Sequence, residues 1–154
     1  MKHVFDYSFP IGRIFIAELD GMITDVALRS IGGADKKETP VISLAVKMLW
    51  EYFDGKRKSF DGLPFLLEGT DFQKRAWTAL QSIPYGQTRT YKEQAEAIGN
   101  KKACRAVGAA NGKNPISIII PCHRVIGSDK SLTGYAGGLD AKKALLELEK
   151  KYSR

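Results

Sequence analysis

The first thirty positions alternate between polar and apolar residues. Residues 3–9, 13–19 and 22–28 are rich in β-branched and aromatic side chains, and each stretch predicts a strand. Asp20-Gly21, between the last two, predicts a two-residue hairpin, because a type I′ turn needs positive φ at both central positions. Residues 31–38 are polar and contain Gly32 and Gly33, which predicts a loop. From Thr39 the period lengthens to that of a helix. Thr39 suits the cap and Pro40 the first helical position. Leu44, Ala45, Met48, Leu49, Tyr52 and Phe53 form one apolar stripe, ended by Gly55. Residues 60–67 predict a short extended piece.

The second half reads as mostly helical. Thr70 and Gln73 have the spacing of a capping box, and Phe72, Ala76, Trp77, Leu80 and Ile83 follow on one side. Pro84-Tyr85-Gly86 breaks the chain. Thr90 and Glu93 repeat the capping pattern and open a helix over 91–98, closed by Gly99. Asn100 is placed to cap a further helix over 101–110. Two short helices joined by a glycine-containing turn predict a helix-turn-helix. At about 100° per residue, Ala103, Ala106, Val107 and Ala110 share the packed face of the second helix. Lys101, Arg105 and Gly108 lie opposite, with Ala109 at the edge. Two long cations among very small residues suit close approach to phosphates. An ordinary solvated helix would explain the charges but not the small residues between them.

Ile118-Ile119-Ile120 predicts a short buried strand, stopped by Pro121, with Cys122 directly after it. Residues 133–139 predict a flexible loop with one aromatic, Tyr135. Asp140 is expected to cap the last helix, whose buried stripe is Ala141, Ala144, Leu145, Leu148 and Tyr152. Glu149 falls at the border of that stripe, and Glu147 further round toward solvent.

Composition narrows the class. An apolar fraction of 44% suits a globular core. No apolar run approaches the roughly 20 residues of a membrane span, and no signal-peptide pattern opens the chain, so a cytoplasmic protein without membrane contact is expected. The net charge of +7 is unevenly placed. Residues 1–69 carry nine Lys/Arg against ten Asp/Glu, and residues 70–154 carry fifteen against seven. A basic second half predicts an acidic polymer as partner, nucleic acid first, with a merely soluble basic surface as the alternative. The two cysteines and two histidines match no zinc spacing, so no metal and no cofactor are expected. No heptad or large apolar stripe calls for self-association, so a monomer is expected. The fold class is α+β: a small N-terminal antiparallel three-stranded sheet with a helix (1–69), then a mostly helical domain with the helix-turn-helix (70–154).

The candidate chemistry sits at Cys122 and His123. Thiolate is the reactive form of cysteine, and a neighbouring base or cation raises its population. Arg124 adds positive charge. The alternative is a free cysteine that only fills space.

Pro121-Cys122-His123-Arg124-Val125, preceded by Arg105-Ala106-Val107-Gly108 and Asn114-Pro115 and followed by Gly134-Tyr135 and Gly137-Gly138-Leu139, resembles the guanine-O6 alkyl DNA alkyltransferases. The similarity runs with constant spacing from about Phe72 to Glu149. The resemblance implies a ribonuclease-H-like first domain and a partner in double-stranded DNA containing O6-alkylguanine, bound through its minor groove. It implies Cys122 as acceptor, His123 as general base through a water, Glu149 orienting His123, and Asn114 tying the helix-turn-helix to the active-site loop. Tyr91 would help rotate the nucleotide and hydrogen-bond the base, and Arg105 would fill the gap left in the duplex. Thr90, Lys101, Gly108, Ala109 and Arg124 would contact DNA. Val125, Tyr135, Ala136 and Gly137 would wall the pocket.

Some positions depart from the pattern. Ala136 stands where some relatives have serine, Asn111 where relatives can have a larger apolar residue, and the zinc ligands of some relatives are missing. Cys104 is expected to be packing. Three other readings stay open at this level: a lesion-binding module, a Cys-His hydrolase that turns over, and a transcription regulator.

Overall fold

The computed structural model describes residues 1–153. The chain divides into two compact units, Met1–Leu67 and Glu68–Arg154, two residues before the boundary expected from composition.

In the first unit, β1 (Lys2–Phe9), β2 (Gly12–Leu19) and β3 (Met22–Ala27) form an antiparallel meander. Asp20 and Gly21 have φ of 51° and 81°, as the type I′ hairpin requires. The sheet has four strands, not three. β4 (Asp35–Lys36) lies in the stretch expected to be loop and pairs parallel with β1, giving the order β3-β2-β1-β4. Helix α1 (Pro40–Phe53) buries Ile42, Ala45, Met48, Leu49, Tyr52 and Phe53. Leu44, expected in that stripe, is exposed, and Ile42 takes its place. Thr39 is the cap residue by backbone conformation, but its side chain makes no capping bond.

The second unit is built on helices. Both capping boxes are formed. Thr70 and Gln73 open α2 (Asp71–Leu80), and Thr90 and Glu93 open α3 (Tyr91–Ala97). Helix α4 (Cys104–Gly112) begins three residues later than expected, because the Asn100 side chain accepts from Lys102 N and folds 101–103 into a turn. Its buried face is Val107, Ala110 and Asn111, with Ala103 just before it. Ala106, expected on that face, is exposed. Ala95, Ala103 and Val107 form the small core between α3 and α4, closed by Phe72, Tyr91, Ile98 and Cys104.

The isoleucine run is not a strand. Ile118 has φ 72°, and Ile119 N donates to Ser117 O at 2.8 Å and Ile120 N to Ile116 O at 3.0 Å. The chain therefore turns on itself while still burying Ile118, Ile119 and Ile120. A single 3-10 turn, Cys122–Arg124, leads into β5 and β6: Arg89–Thr90 pairs parallel with Val125–Ile126. The last helix, α5 (Leu139–Tyr152), is capped by Gly138 rather than Asp140, which sits in its first turn. Its buried face is Ala141, Lys142, Leu145 and Glu149. Ala144, Leu148 and Tyr152 are only half-buried, so the inward face is rotated from the expected stripe.

Candidate active site

The 3-10 turn places Cys122, His123 and Arg124 in the interior of the second unit. Cys122 is 4% exposed. Asn114 Nδ2 donates to Cys122 Sγ at 3.3 Å and to Ile120 O at 2.8 Å, and Asn114 Oδ1 accepts from Ile116 N at 3.0 Å. One side chain, two residues past the end of α4, thus fixes both the 114–120 turn and the sulfur. Burial pushes the Cys122 thiol up to about 11, while the Asn114 amide and the Lys142 charge pull it down.

His123 is fully buried, and its Nε2 lies 2.6 Å from Glu149 Oε2. The Glu149 carboxyl is pushed up by burial, but His123 and Arg124 outweigh this and hold it far below the usual range. An ionised Glu149 accepts the Nε2 proton, which leaves Nδ1 of a neutral imidazole as the basic nitrogen. Nδ1 has no hydrogen-bond partner among the described residues. Burial lowers the His123 pKa, and Glu149 offsets part of that.

Arg124, expected to contact DNA, is turned into the interior instead. It is 7% exposed, its Nε donates to Glu149 Oε1 at 2.8 Å, its Nη2 to Glu149 Oε2 at 3.1 Å, and its Nη1 to Ile83 O at 2.8 Å. Its guanidinium also lies over the Tyr85 ring. Three of its five N–H groups are thus spent inside the network. Gly86 N adds a fourth donor to Glu149, at 3.2 Å. Glu149, read from sequence as a border carboxylate, is the buried hub of this network.

Lys142 carried no expectation from sequence. It is 1% exposed, and burial lowers its pKa, with the Cys122 thiol acting in the opposite sense. Its Nζ donates to Thr133 O at 2.8 Å, and the same carbonyl accepts from Tyr91 Oη at 2.8 Å. The loop over residues 127–138 is thereby tied to α3 and α5. The signal that could have found Lys142 is its spacing: it lies seven residues, nearly two turns, before Glu149 on the same line of α5.

The remaining candidates divide. Val125 and Tyr135 are buried, Gly137 is half-buried and Ala136 is exposed. Burial raises the Tyr135 phenol well above its ordinary value. Tyr91 is half-buried, and its ring lies where a side chain on Gly108 would first make contact, 3.7 Å away. The β5–β6 pairing, invisible in sequence, is what sets Tyr91 directly after a strand paired with Val125 and Ile126. Thr90 Oγ1 accepts from Glu93 N as the cap of α3. Lys101, Arg105 and Ala109 are exposed, Lys101 in the turn before α4 rather than on it.

The arrangement is a polarised thiol, a buried base with one nitrogen in reserve, and a helix with Arg105 exposed that leads to the thiol through Asn114. No group of three His, Cys, Asp or Glu able to hold a metal ion occurs among the described residues. No helix among them is long and apolar enough to cross a membrane.

Residues 71–151 match the family model described as 6-O-methylguanine DNA methyltransferase, DNA binding domain, and residues 6–67 match the ribonuclease-like domain of the same family. A methylated-DNA–protein-cysteine methyltransferase of Methanosarcina barkeri is 65% identical over 105 residues, 68% of this chain and 66% of that protein. The matched part thus spans about two thirds of that relative's length. The protein of the same name from Mycolicibacterium paratuberculosis is 47% identical over 149 residues, covering 94% of this chain and 90% of its own. The crystal structure of Mycobacterium tuberculosis OGT in complex with DNA superposes with a TM-score of 0.91 at 46% identity, over 97% of this chain and 94% of that one. The chain belongs to the 6-O-methylguanine DNA methyltransferase family.

Proposed function

We propose that this protein repairs duplex DNA carrying O6-alkylguanine by moving the alkyl group onto its own Cys122, once per molecule. The observation that carries the proposal is the Asn114 amide, 3.3 Å from Cys122 Sγ and two residues beyond helix α4, the helix we assign to DNA. It joins nucleic-acid recognition to a nucleophile. The DNA bound to the Mycobacterium tuberculosis relative supports the choice of partner.

In the reaction, the Cys122 sulfur forms a bond to the alkyl carbon while the carbon–O6 bond breaks. The thiol proton passes through a water to His123 Nδ1, and the departing guanine takes a proton at N1. Glu149 holds the imidazole in the tautomer that leaves Nδ1 free, and stabilises the imidazolium that forms. Asn114 and Lys142 favour developing negative charge on sulfur. A saturated carbon calls for a soft nucleophile, and thiolate is the best a side chain offers.

The damaged base must leave the stack to reach a sulfur so deeply placed. Arg105, exposed on α4, fills the gap in the duplex from the minor groove. Lys101, Gly108 and Ala109 lie against the backbone, and Thr90 lies beside them. Tyr91 turns the nucleotide and bonds the base. Val125, Tyr135, Ala136 and Gly137 wall the pocket. The thioether product has no leaving group that these residues could activate, so the protein acts once.

The test is mass spectrometry after incubation with a duplex bearing one O6-methylguanine in excess. The expected result is one added methyl per chain, on Cys122, with repaired DNA never exceeding protein. Repaired DNA in large excess over protein, or an unmodified Cys122, would overturn the proposal.

A further inference from the structure

Helices α2, α3 and α4 meet at a buried knot of amide groups. Gln94 Nε2 donates to Asn111 Oδ1 at 2.9 Å and to Ala76 O at 3.1 Å. Asn111 Nδ2 donates back to Gln94 Oε1 at 2.7 Å. Both side chains are buried. The next residue along α2, Trp77, donates from Nε1 to Ala110 O at 2.8 Å. Two adjacent residues near the C-terminal end of α4, Ala110 and Asn111, are therefore gripped from α2 and α3. Three residues later Asn114 holds the Cys122 sulfur.

Burial alone does not account for this pair. Methionine is as long as glutamine and leucine branches as asparagine does, so an apolar pair of similar shape could occupy the site without desolvating two amides. What reciprocal amide bonds add is register: a buried apolar contact tolerates sliding, whereas paired donors and acceptors match in one arrangement. The helix so fixed carries Arg105 at one end and leads to Asn114 at the other. A small slide or rotation of α4 would displace Arg105 and its outer face from the thiol that must receive the base, and displacements of about 1 Å far from the chemistry can cost about a hundredfold in rate.

We propose that Gln94 and Asn111 are positioning residues for the duplex reaction. They hold α4 in the one register that lets its outer face and Cys122 address the same nucleotide. This rests on the reading of the protein as an acceptor of alkyl groups from duplex DNA.

The experiment compares Gln94→Met, Asn111→Leu and the double variant with the unaltered chain. Each is assayed with a duplex containing O6-methylguanine and with free O6-benzylguanine, which needs no helix docking. Thermal midpoints are measured alongside. Each single variant should react about tenfold or more slowly with the duplex, yet within about threefold of the unaltered rate with the free base. The double variant leaves no amide stranded, so its thermal midpoint should recover relative to the singles while its duplex rate stays low. Recovery of the duplex rate together with stability would reduce the pair to packing and overturn the proposal. Equal losses on both substrates, or full duplex rates in the single variants, would overturn it as well. If the unaltered chain itself leaves Cys122 unmodified by duplex and free base alike, it is the reading of the function that fails.

Discussion

At the scale of single residues, the site sets a thiol that resists ionisation beside a base that resists protonation. Burial holds the Cys122 thiol near 11, so at neutral pH the resting sulfur is protonated. Attack by preformed thiolate would quicken about tenfold per pH unit up to that value. Burial holds His123 below its ordinary 6.5, so its imidazole is neutral and able to take a proton from slightly acid pH upward. If the proton leaves through His123, the rate tracks neutral imidazole, rises below pH 6.5 and is flat above it. Reaction with free O6-benzylguanine should therefore change little between pH 7 and 9. His123→Ala should be about a hundredfold slower at pH 7 and should climb steadily across the same range. A wild-type rate that rises in proportion to hydroxide from pH 7 to 9 would remove His123 from the proton path. Cys122 and His123 stood out in sequence because a thiol beside an imidazole announces itself, whereas Glu149 fell only at the border of a stripe and its link to His123 came from the family resemblance. The place of Arg124 was not legible. A cation beside a nucleophile suggests an anionic partner, and only the fold shows that Glu149 and Ile83 O take three of its five N–H groups. Lys142 was hidden for a related reason: lysine is rarely fully buried, so its residue type outweighed its seven-residue spacing from Glu149.

At the scale of elements, what the sequence told truly was local. Both capping boxes depend on residues three apart, and both formed. What it misplaced depends on distant partners. The two-residue strands β4, β5 and β6 exist only through pairing, and Ile118 adopts a left-handed conformation unusual for a β-branched residue because its surroundings bury it there. Helix α4 offers a test of its own outer face. Gly108 sits mid-helix, and a methyl group there would meet the Tyr91 ring at 3.7 Å, an ordinary contact. Gly108→Ala should therefore stabilise the protein by about 0.5–1 kcal/mol through backbone entropy, read as a higher midpoint in urea. The same methyl should weaken duplex binding if DNA approaches the helix closely along this face. A more stable variant with unchanged affinity would take Gly108 out of the DNA contact and leave its small size to the Tyr91 ring alone.

At the scale of the whole molecule, the division of charge matches the division of labour. The residues before position 70 are nearly balanced, while those from 70 onward carry the whole excess of positive charge together with Cys122. A protein that grips phosphates through one unit should show this in how salt weakens binding, since each neutralised phosphate releases condensed counterions and adds about 0.9 to the slope of log affinity against log salt. Lys101 is exposed in the turn that leads into α4, whereas Lys47 is exposed on α1 of the nearly balanced unit. Lys101→Ala should lower the salt slope by about one, and Lys47→Ala should leave it unchanged, in titrations of the full chain on a fluorescent duplex. The slope should also be the same on duplexes with and without O6-methylguanine, because the phosphate contribution does not depend on the base. Equal slopes for the unaltered chain and Lys101→Ala would place that lysine away from the backbone. A slope that fell with Lys47→Ala instead would move the phosphate contact to the other unit.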